Sequence, residues 1–267
     1  MKLKIMSSEG EKGNIELPKQ FEEPIRADLI HRVVVSIQSH KRQPHGTNPR
    51  AGKDYSAKLS KRRRNYRGSY GKGISRIPRK IMTRRGMQMH MVGALAPGTV
   101  GGRKAHSSKA EKKLSKKIND QERKKSIRSA LHASVIKELV IKRGHKTPDN
   151  YPFIIDNSFE KLKKTKDVVT SLEKLGLTQE LERTKEKTVR AGKGKGRGRK
   201  YRKKKGPLLV VGNKCDLVKT AKNIPGIDVI TVESLNTELL APGTHPGRLT
   251  LYTQNSIERL QKEKLFT

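Results

Sequence analysis

Between Arg42 and Ala110 the chain carries eighteen lysines and arginines against a single acid, Asp54, and ten of its residues are glycine. Such a stretch cannot pack a core. Like charges repel one another when the chain is compact, and glycine offers no side chain to bury. Apolar residues recur there with almost no helical or strand period. A structureless loop of sixty-nine residues inside a domain would be unusual. The stretch is therefore expected to leave the globular body as a long extension. Running out and back, each arm could reach at most on the order of 100 Å.

A second basic tract, Lys185 to Gly206, holds twelve basic residues and one acid, Glu186. From Gly192 to Arg199 glycine alternates with lysine or arginine, a pattern that packs no core and need not form a helix. The plain reading is a solvated linker or a localisation signal. The sharper one is a flexible phosphate clamp, because glycine lets backbone N–H groups approach phosphate oxygens. Two such tracts in one chain favour the clamp.

Together the two tracts hold thirty of the sixty-two basic residues and two of the twenty-five acids, so most of the net charge of +37 is theirs. That balance excludes a free metabolic enzyme and points to a nucleic-acid partner. With one cysteine, Cys215, no internal disulfide framework or cysteine-based zinc site can form, in keeping with a reducing compartment. The N-terminal stretch MKLKIMSSEG lacks the apolar run of a signal peptide, and aliphatic runs such as Leu208–Val211 are too short to span a membrane. No membrane partner is expected, since the charge does not lie along one helix face.

The remainder reads as an α/β body. MKLKIM and Asn14–Pro18 have the alternation of short strands, and Ile25, Leu29, Ile30, Val33 and Ile37 recur at helical spacing from Pro24 to near His40. Asn119 with Glu122 resembles a capping box opening a helix that Gly144 stops. Strands are expected at Phe153–Ile155, Leu208–Val211, Val229–Val232 and Leu249–Tyr252. Helices are expected from Thr165 to Gly176, from Asp216 to Lys222, around Leu235–Leu240 and from Ser256 to Leu265. Strands alternating with helices imply a mostly parallel, Rossmann-like doubly wound sheet with helices on both faces. The expected domains are a discontinuous body, residues 1–41 and 111–267, an extended basic loop, 42–110, and a basic glycine-rich segment, 185–206.

Chemical sites are poorly supported. Asn213-Lys214-Cys215-Asp216 copies the guanine-recognition element of GTPases, but no GxxxxGK[ST] phosphate cradle exists anywhere in the chain. The plain reading is a strand ending in polar turn residues. None of the eight histidines has metal-ligand spacing, and no nucleophile–base pair can be argued. No catalytic, cofactor or metal site is expected.

Nucleic-acid contacts are better supplied. Arg42, Arg50, Lys53, Arg62, Arg63, Arg64, Arg67 and Lys72 are candidate RNA ligands, as are Arg76, Arg79, Arg84, Arg85, Arg103, Lys104 and His106. In the second tract the candidates are Lys193, Lys195, Arg197, Arg199, Lys200 and Arg202. Tyr66 and Tyr201, with Tyr55 and Tyr70, suit stacking on splayed bases. A helix-turn-helix, zinc finger or basic zipper is absent from the sequence, which favours folded RNA over DNA reading. A general DNA-compacting protein is the alternative.

These residues also carry a resemblance. RQPHGTNPRAGK (Arg42–Lys53), SRIPR (Ser75–Arg79), GGRKAH (Gly101–His106), KKINDQERKKSIRSAL (Lys116–Leu131), LKKTKDVVTSLEKLGL (Leu162–Leu177) and RAGKGKGRGRKYRKKKGPLLVV (Arg190–Val211) are similar to the large-subunit ribosomal protein four family in its archaeal form. The resemblance implies a structural, non-enzymatic constituent of the large ribosomal subunit in the cytoplasm. It further implies a body on the outer side of the subunit, and an internal loop threading the large rRNA to line the nascent-peptide exit tunnel. The loop tip would fall between Gly68 and Val100. The implied partners are large-subunit rRNA, neighbouring large-subunit proteins and the nascent peptide, with no homo-oligomer. Two departures stand out: His106-Ser107-Ser108 where the family has His-Pro-Pro, and a tip rich in methionine, with Met82, Met87, Met89 and Met91.

Overall fold

The computed structural model describes residues 1–8 and 10–267. It divides into a body, Met1–Lys41 with Ser115–Thr267, and an inserted unit, Arg42–Leu114. The body opens with β1 (Lys2–Ser7), β2 (Gly10–Glu16) and α1 (Ala27–His40). The insert contains one hairpin, β3 (Arg79–Arg85) and β4 (Gln88–Gly93). The body resumes with α2 (Asp120–Val135), α3 (Lys137–Lys142), β5 (Phe153–Ile155), α4 (Thr165–Lys174) and α5 (Thr178–Lys185). Next come the short strands β6 (Lys187–Val189) and β7 (Tyr201–Lys203), then β8 (Leu208–Val211), α6 (Asp216–Ala221) and β9 (Asp228–Thr231). The chain closes with α7 (Thr237–Leu240), β10 (Thr250–Thr253) and α8 (Gln254–Lys262).

Six strands form one sheet in the order β2-β1-β5-β10-β8-β9. Only the β1–β2 ladder is antiparallel; the other four are parallel. Of the central strands β5 and β8 are short and apolar throughout, and β10 is buried along its whole length, because both faces are covered. Ile154, Leu208, Val210 and Tyr252 pack on one side with Ile30 and Val34 of α1, Ile127 and Leu131 of α2, and Ile257 and Leu260 of α8. Phe153, Ile155, Leu209, Val211 and Leu251 pack on the other with Val168 and Leu172 of α4, Leu181 of α5 and Leu217 of α6. The alternation of side chains along each strand feeds both layers.

Several expectations shift at their edges. The first helix begins at Ala27 rather than Pro24, with Arg26 extended before it. Asn119 takes the N-cap position of α2, yet its side chain makes no capping bond, and Glu122 Oε1 instead accepts from Arg32 at 3.1 Å. The helix expected to run to Gly144 breaks at Ile136, whose ψ of 107° ends α2 before α3 restarts. Gly144, at φ 94°, still terminates the second piece. Helix α5 follows Gly176 and has no counterpart in the sequence reading; Leu181 and Thr184 supply its buried face.

The larger corrections concern the basic stretches. Residues 42–110 were expected to carry almost no strand character, yet β3 and β4 pair over Arg79–Arg85 and Gln88–Gly93. The glycine-rich tract likewise folds back on itself, with Lys187↔Lys203, Thr188↔Arg202 and Val189↔Tyr201 opposed around a 3-10 turn at Lys193–Arg197. Both hairpins escape a periodicity search for the same reason. No strand of β3, β4, β6 or β7 has a fully buried residue, and only Gln88–Met91 of β4 alternates polar with apolar, too briefly to mark the hairpin.

Candidate nucleic-acid interface

The insert is held at its neck by backbone contacts between its outgoing and returning arms. Thr47 N donates to Ser108 O at 3.0 Å. Gly52, at φ 76°, lies so close to the returning arm that a Cβ would sit 2.6 Å from Gly102 C and Arg103 N. Only glycine tolerates both that backbone and that approach. Further out, Lys58 and Arg79 exchange backbone hydrogen bonds of 3.3 Å, and Ala94 N donates to Pro78 O at 2.8 Å. The arms are therefore stitched by main-chain bonds, and the side chains are free to carry charge.

Arg79 is an exception among the expected RNA ligands. Its guanidinium donates to Ser75 O (3.0 and 3.2 Å), to Ser75 Oγ (2.9 Å) and, across the hairpin, to Met91 O (3.3 Å). It is half-buried and fastens the start of β3. Arg84 Nε similarly donates to Gly86 O at 3.1 Å at the hairpin turn, leaving its terminal nitrogens exposed.

The tyrosines are paired with cations. Tyr66 has Arg67 and Arg84 over its ring at 5.4 and 5.5 Å, Arg76 lies 4.4 Å from the Tyr70 centroid, and Lys80 lies 4.0 Å from that of Tyr55. In the second tract Lys187 and Lys200 flank Tyr201 at 5.6 and 5.5 Å. Each pair places an aromatic face and a positive charge within the reach of one nucleotide, suited to a base and its phosphate. Arg64 and Arg67 adopt left-handed backbone, at φ 54° and 61°, in the tight turns preceding Gly68. Such conformations cost of order 1 kcal/mol each in a non-glycine residue.

The charge is left unpaired. Among the described residues the insert contains one ion pair, Arg50 Nε to Asp54 Oδ1 at 3.3 Å, between exposed partners. Arg42, Lys53, Arg62, Arg63, Arg64, Lys72, Arg76, Arg85, Lys104 and His106 are all exposed, while Arg67 and Arg103 are half-buried. Lys193, Lys195, Arg197, Arg199, Lys200 and Arg202 are exposed on the second hairpin, again without a carboxylate. By contrast, every other ion pair lies in the body or at the foot of that hairpin.

At that foot the structure gathers residues the sequence reading missed. His145 Nδ1 donates to buried Glu180 Oε1 at 2.7 Å, Lys146 N donates to Oε2 at 2.9 Å, and Arg183 forks onto both oxygens at 2.7 Å. Burial would raise the Glu180 carboxyl, but Arg183, His145 and the Lys146 N–H together hold it below its ordinary value. Burial, with the charges of Arg183 and Arg143, lowers His145 against the raising effect of Glu180. Arg183 also donates to Lys205 O at 2.7 Å, tying α5 to the end of the tract. No local pattern links positions 143, 145, 180 and 183, and none could have announced them.

The guanine-recognition look-alike is occupied with structural bonds. Arg259 donates to Asn213 Oδ1 at 2.8 Å and to Gly212 O at 2.6 Å. Glu160 meanwhile accepts from Gly212 N and from Thr253 Oγ1, closing the crevice at the carboxyl ends of β8 and β10. Among the described residues no group of histidines, cysteines and acids is placed to hold a metal. No helix there is long and apolar enough to cross a membrane.

An α/β body with two polycationic hairpins, their charge unpaired by the chain's own carboxylates, defines a class: strongly basic proteins on a mixed, mostly parallel α/β scaffold. The particular family follows from comparison. A profile of the ribosomal protein L4/L1 family matches residues 15–263. The chain is 51% identical over 255 residues to the large ribosomal subunit protein uL4 of Nanoarchaeum equitans, covering 95% of each chain. It is 44% identical over 262 residues to the uL4 of Archaeoglobus fulgidus, covering 97% of this chain and 98% of that one. The uL4 of Methanococcoides burtonii is 43% identical over 251 residues, 94% and 93% of the two chains. The chain belongs to the ribosomal protein L4/L1 family, in its archaeal form, and is a structural ribosomal protein rather than an enzyme.

Proposed function

We propose that this chain is a cytoplasmic constituent of the large ribosomal subunit that binds large-subunit rRNA through its two basic hairpins. Its neighbours in the subunit are other ribosomal proteins, and it works as a single copy. The observation that carries the reading is the unpaired charge: in residues 42–110 seventeen of eighteen cations have no carboxylate among the described residues. Such a surface reaches its stable state by displacing counterions from a polyanion.

The division of labour follows. The body, residues 1–41 and 111–267, is a Rossmann-like doubly wound scaffold supported by its mostly parallel sheet with both faces covered. Residues 42–110 are the long rRNA-binding loop and 185–206 a second RNA-binding segment. Holding several rRNA segments at once supports subunit assembly. The β3–β4 tip, where Met82 and Met87 are 57% and 82% exposed, faces the nascent peptide in the exit tunnel.

Filter binding of the full chain to transcribed large-subunit rRNA and to duplex DNA tests this. Affinity for the rRNA is expected to fall by about three decades or more between 50 and 200 mM salt and to exceed that for DNA. Equal affinity for the two would overturn the RNA-specific reading.

A further inference from the structure

We infer that the cavity at the foot of the β6–β7 hairpin is a phosphodiester socket that seats one backbone phosphate of bound RNA. It rests on the RNA-binding reading above and assigns that reading a discrete site. The cavity, of about 460 Å³, is lined by Arg143, His145, Arg183, Thr188, Arg202 and Lys203–Lys205, with no acid in its wall. Thr188 and Arg202 are directly opposed across the hairpin, so both side chains leave the same face of the ribbon.

The nearby carboxylates are already engaged. Glu180 is held by Arg183 and His145, Glu186 by Lys204 at 2.5 Å, and Asp228 by Lys205 at 2.9 Å and Arg248 at 2.6 Å. Arg143 and Arg202 are left with no carboxylate among the described residues. Arg143 is anchored instead by donating to Pro242 O and His245 O, neutral acceptors that fix its position without cancelling its charge. Burial, together with the like charges of Arg248 and Arg183, pulls the Arg143 guanidinium down to about 10. A half-buried cation disfavoured by its own neighbours is one that an incoming anion stabilises.

The chemistry of the wall selects the anion. Guanidinium forks match pairs of phosphate oxygens, and the Thr188 hydroxyl, which donates only at 3.4 Å to Arg202 O, can turn to an anion as a neutral donor. The volume exceeds that of a lone phosphate ion and leaves room for the flanking sugars of a strand. The site also differs from the hairpin tip, the 3-10 turn at Lys193–Arg197, which has no buried residue to anchor its cations.

The test compares three charge-preserving substitutions and a neutralising one in the full chain, by filter binding to transcribed large-subunit rRNA across a salt series. Arg202→Lys keeps the charge and removes the fork. It is expected to weaken binding about tenfold with an unchanged salt slope, and Thr188→Val in the same background to add a further severalfold loss. Lys195→Arg at the tip should change affinity less than twofold, and Lys195→Gln should lower the slope by about one. Arg202 and Thr188 are exposed and lie outside the core, so circular dichroism should be unaltered. If Arg202→Lys binds as tightly as the unaltered chain, the socket is wrong while RNA binding stands. If the unaltered chain shows no salt-dependent rRNA binding, the functional reading fails first and takes the socket with it.

Discussion

Arg248, which has no solvent-exposed surface, donates through Nη2 to Asp228 Oδ2 at 2.6 Å. Its Nε and Nη1 reach Gly206 O and Leu239 O, both at 2.9 Å. One side chain thus joins the end of the basic tract, the start of β9 and the end of α7 beneath the sheet edge. Removing it would leave the Gly206 and Leu239 carbonyls without their donor and the partly buried Asp228 carboxylate with Lys205 alone. Arg248→Met is expected to destabilise the body by about 3 kcal/mol, read from the urea midpoint at constant m-value. Asp228→Asn, which keeps a hydrogen-bond acceptor, should cost less. Equal stability of Arg248→Met and the unaltered chain would show that packing alone fills this position.

Acid stability should carry the signature of Asp156. Hydrogen bonds from Ser158 and Lys12 draw its carboxyl from 3.8 down to about 2, against the smaller opposing effect of burial. Because the folded-state value lies below the unfolded one, the unfolded chain binds more protons between them, and stability falls as pH drops through that window. The contribution is fully present above about pH 5 and is lost between about pH 4 and 2. Asp156→Asn should lower stability at pH 7 yet flatten this acid limb, as followed by urea midpoints from pH 5 to 2.5. An unchanged acid limb would place the sensitivity elsewhere, for instance at Asp228. Burial would raise the Asp228 carboxyl, but Arg248 and Lys205 lower it overall.

Most of the body was legible because burial writes itself into the sequence. Leu208–Val211 is a short apolar run, and it is a strand covered on both faces. Leu29, Ile30, Val33 and Val34 mark one face of α1 because that face is buried, in large part against α2 and α7. The basic hairpins left little such trace, since β6 and β7 are exposed on both sides, β3 and β4 are at most half-buried, and main-chain bonds hold them. Charge density located the candidate interface, but it could not separate Arg79, which is committed to Ser75 and Met91, from Arg76, whose guanidinium lies over Tyr70. Nor could it single out Arg143, which reaches the tract from the end of α3, or Arg183, which reaches it from α5 immediately before it. Sequence charge records how many cations exist, whereas structure decides which of them already have acceptors.

Arg79 should accordingly behave as a fastener. Arg79→Lys keeps the charge but cannot bridge Ser75 and Met91 together. The expected result is a loss of about 1–2 kcal/mol of local stability, seen as faster amide exchange over β3 and β4 with body amides unchanged. Arg76→Lys, which breaks no internal hydrogen bond, should leave exchange unaltered. Equal effects from the two would remove the distinction between fastener and surface cation.

The neck of the insert offers a comparison that separates backbone strain from crowding. Gly52 and Gly71 have nearly the same left-handed φ, 76° and 73°. A Cβ on Gly71 meets nothing within 4 Å, whereas one on Gly52 meets the Gly102 and Arg103 backbone at 2.6 Å. Gly71→Ala should therefore cost only the conformational penalty, about 1 kcal/mol. Gly52→Ala must also push the two arms apart, and backbone cannot yield as a flexible side chain would. Amide exchange at Thr47 and Arg103 should rise at least tenfold in Gly52→Ala and stay near its original rate in Gly71→Ala. Limited proteolysis should show the same contrast, with earlier cutting at Arg50, Lys53, Arg103 and Lys104 in the first variant alone. If both variants behave alike, the arms are not locked at Gly52, and the stitching from Lys58–Arg79 outward alone sets the geometry of the loop.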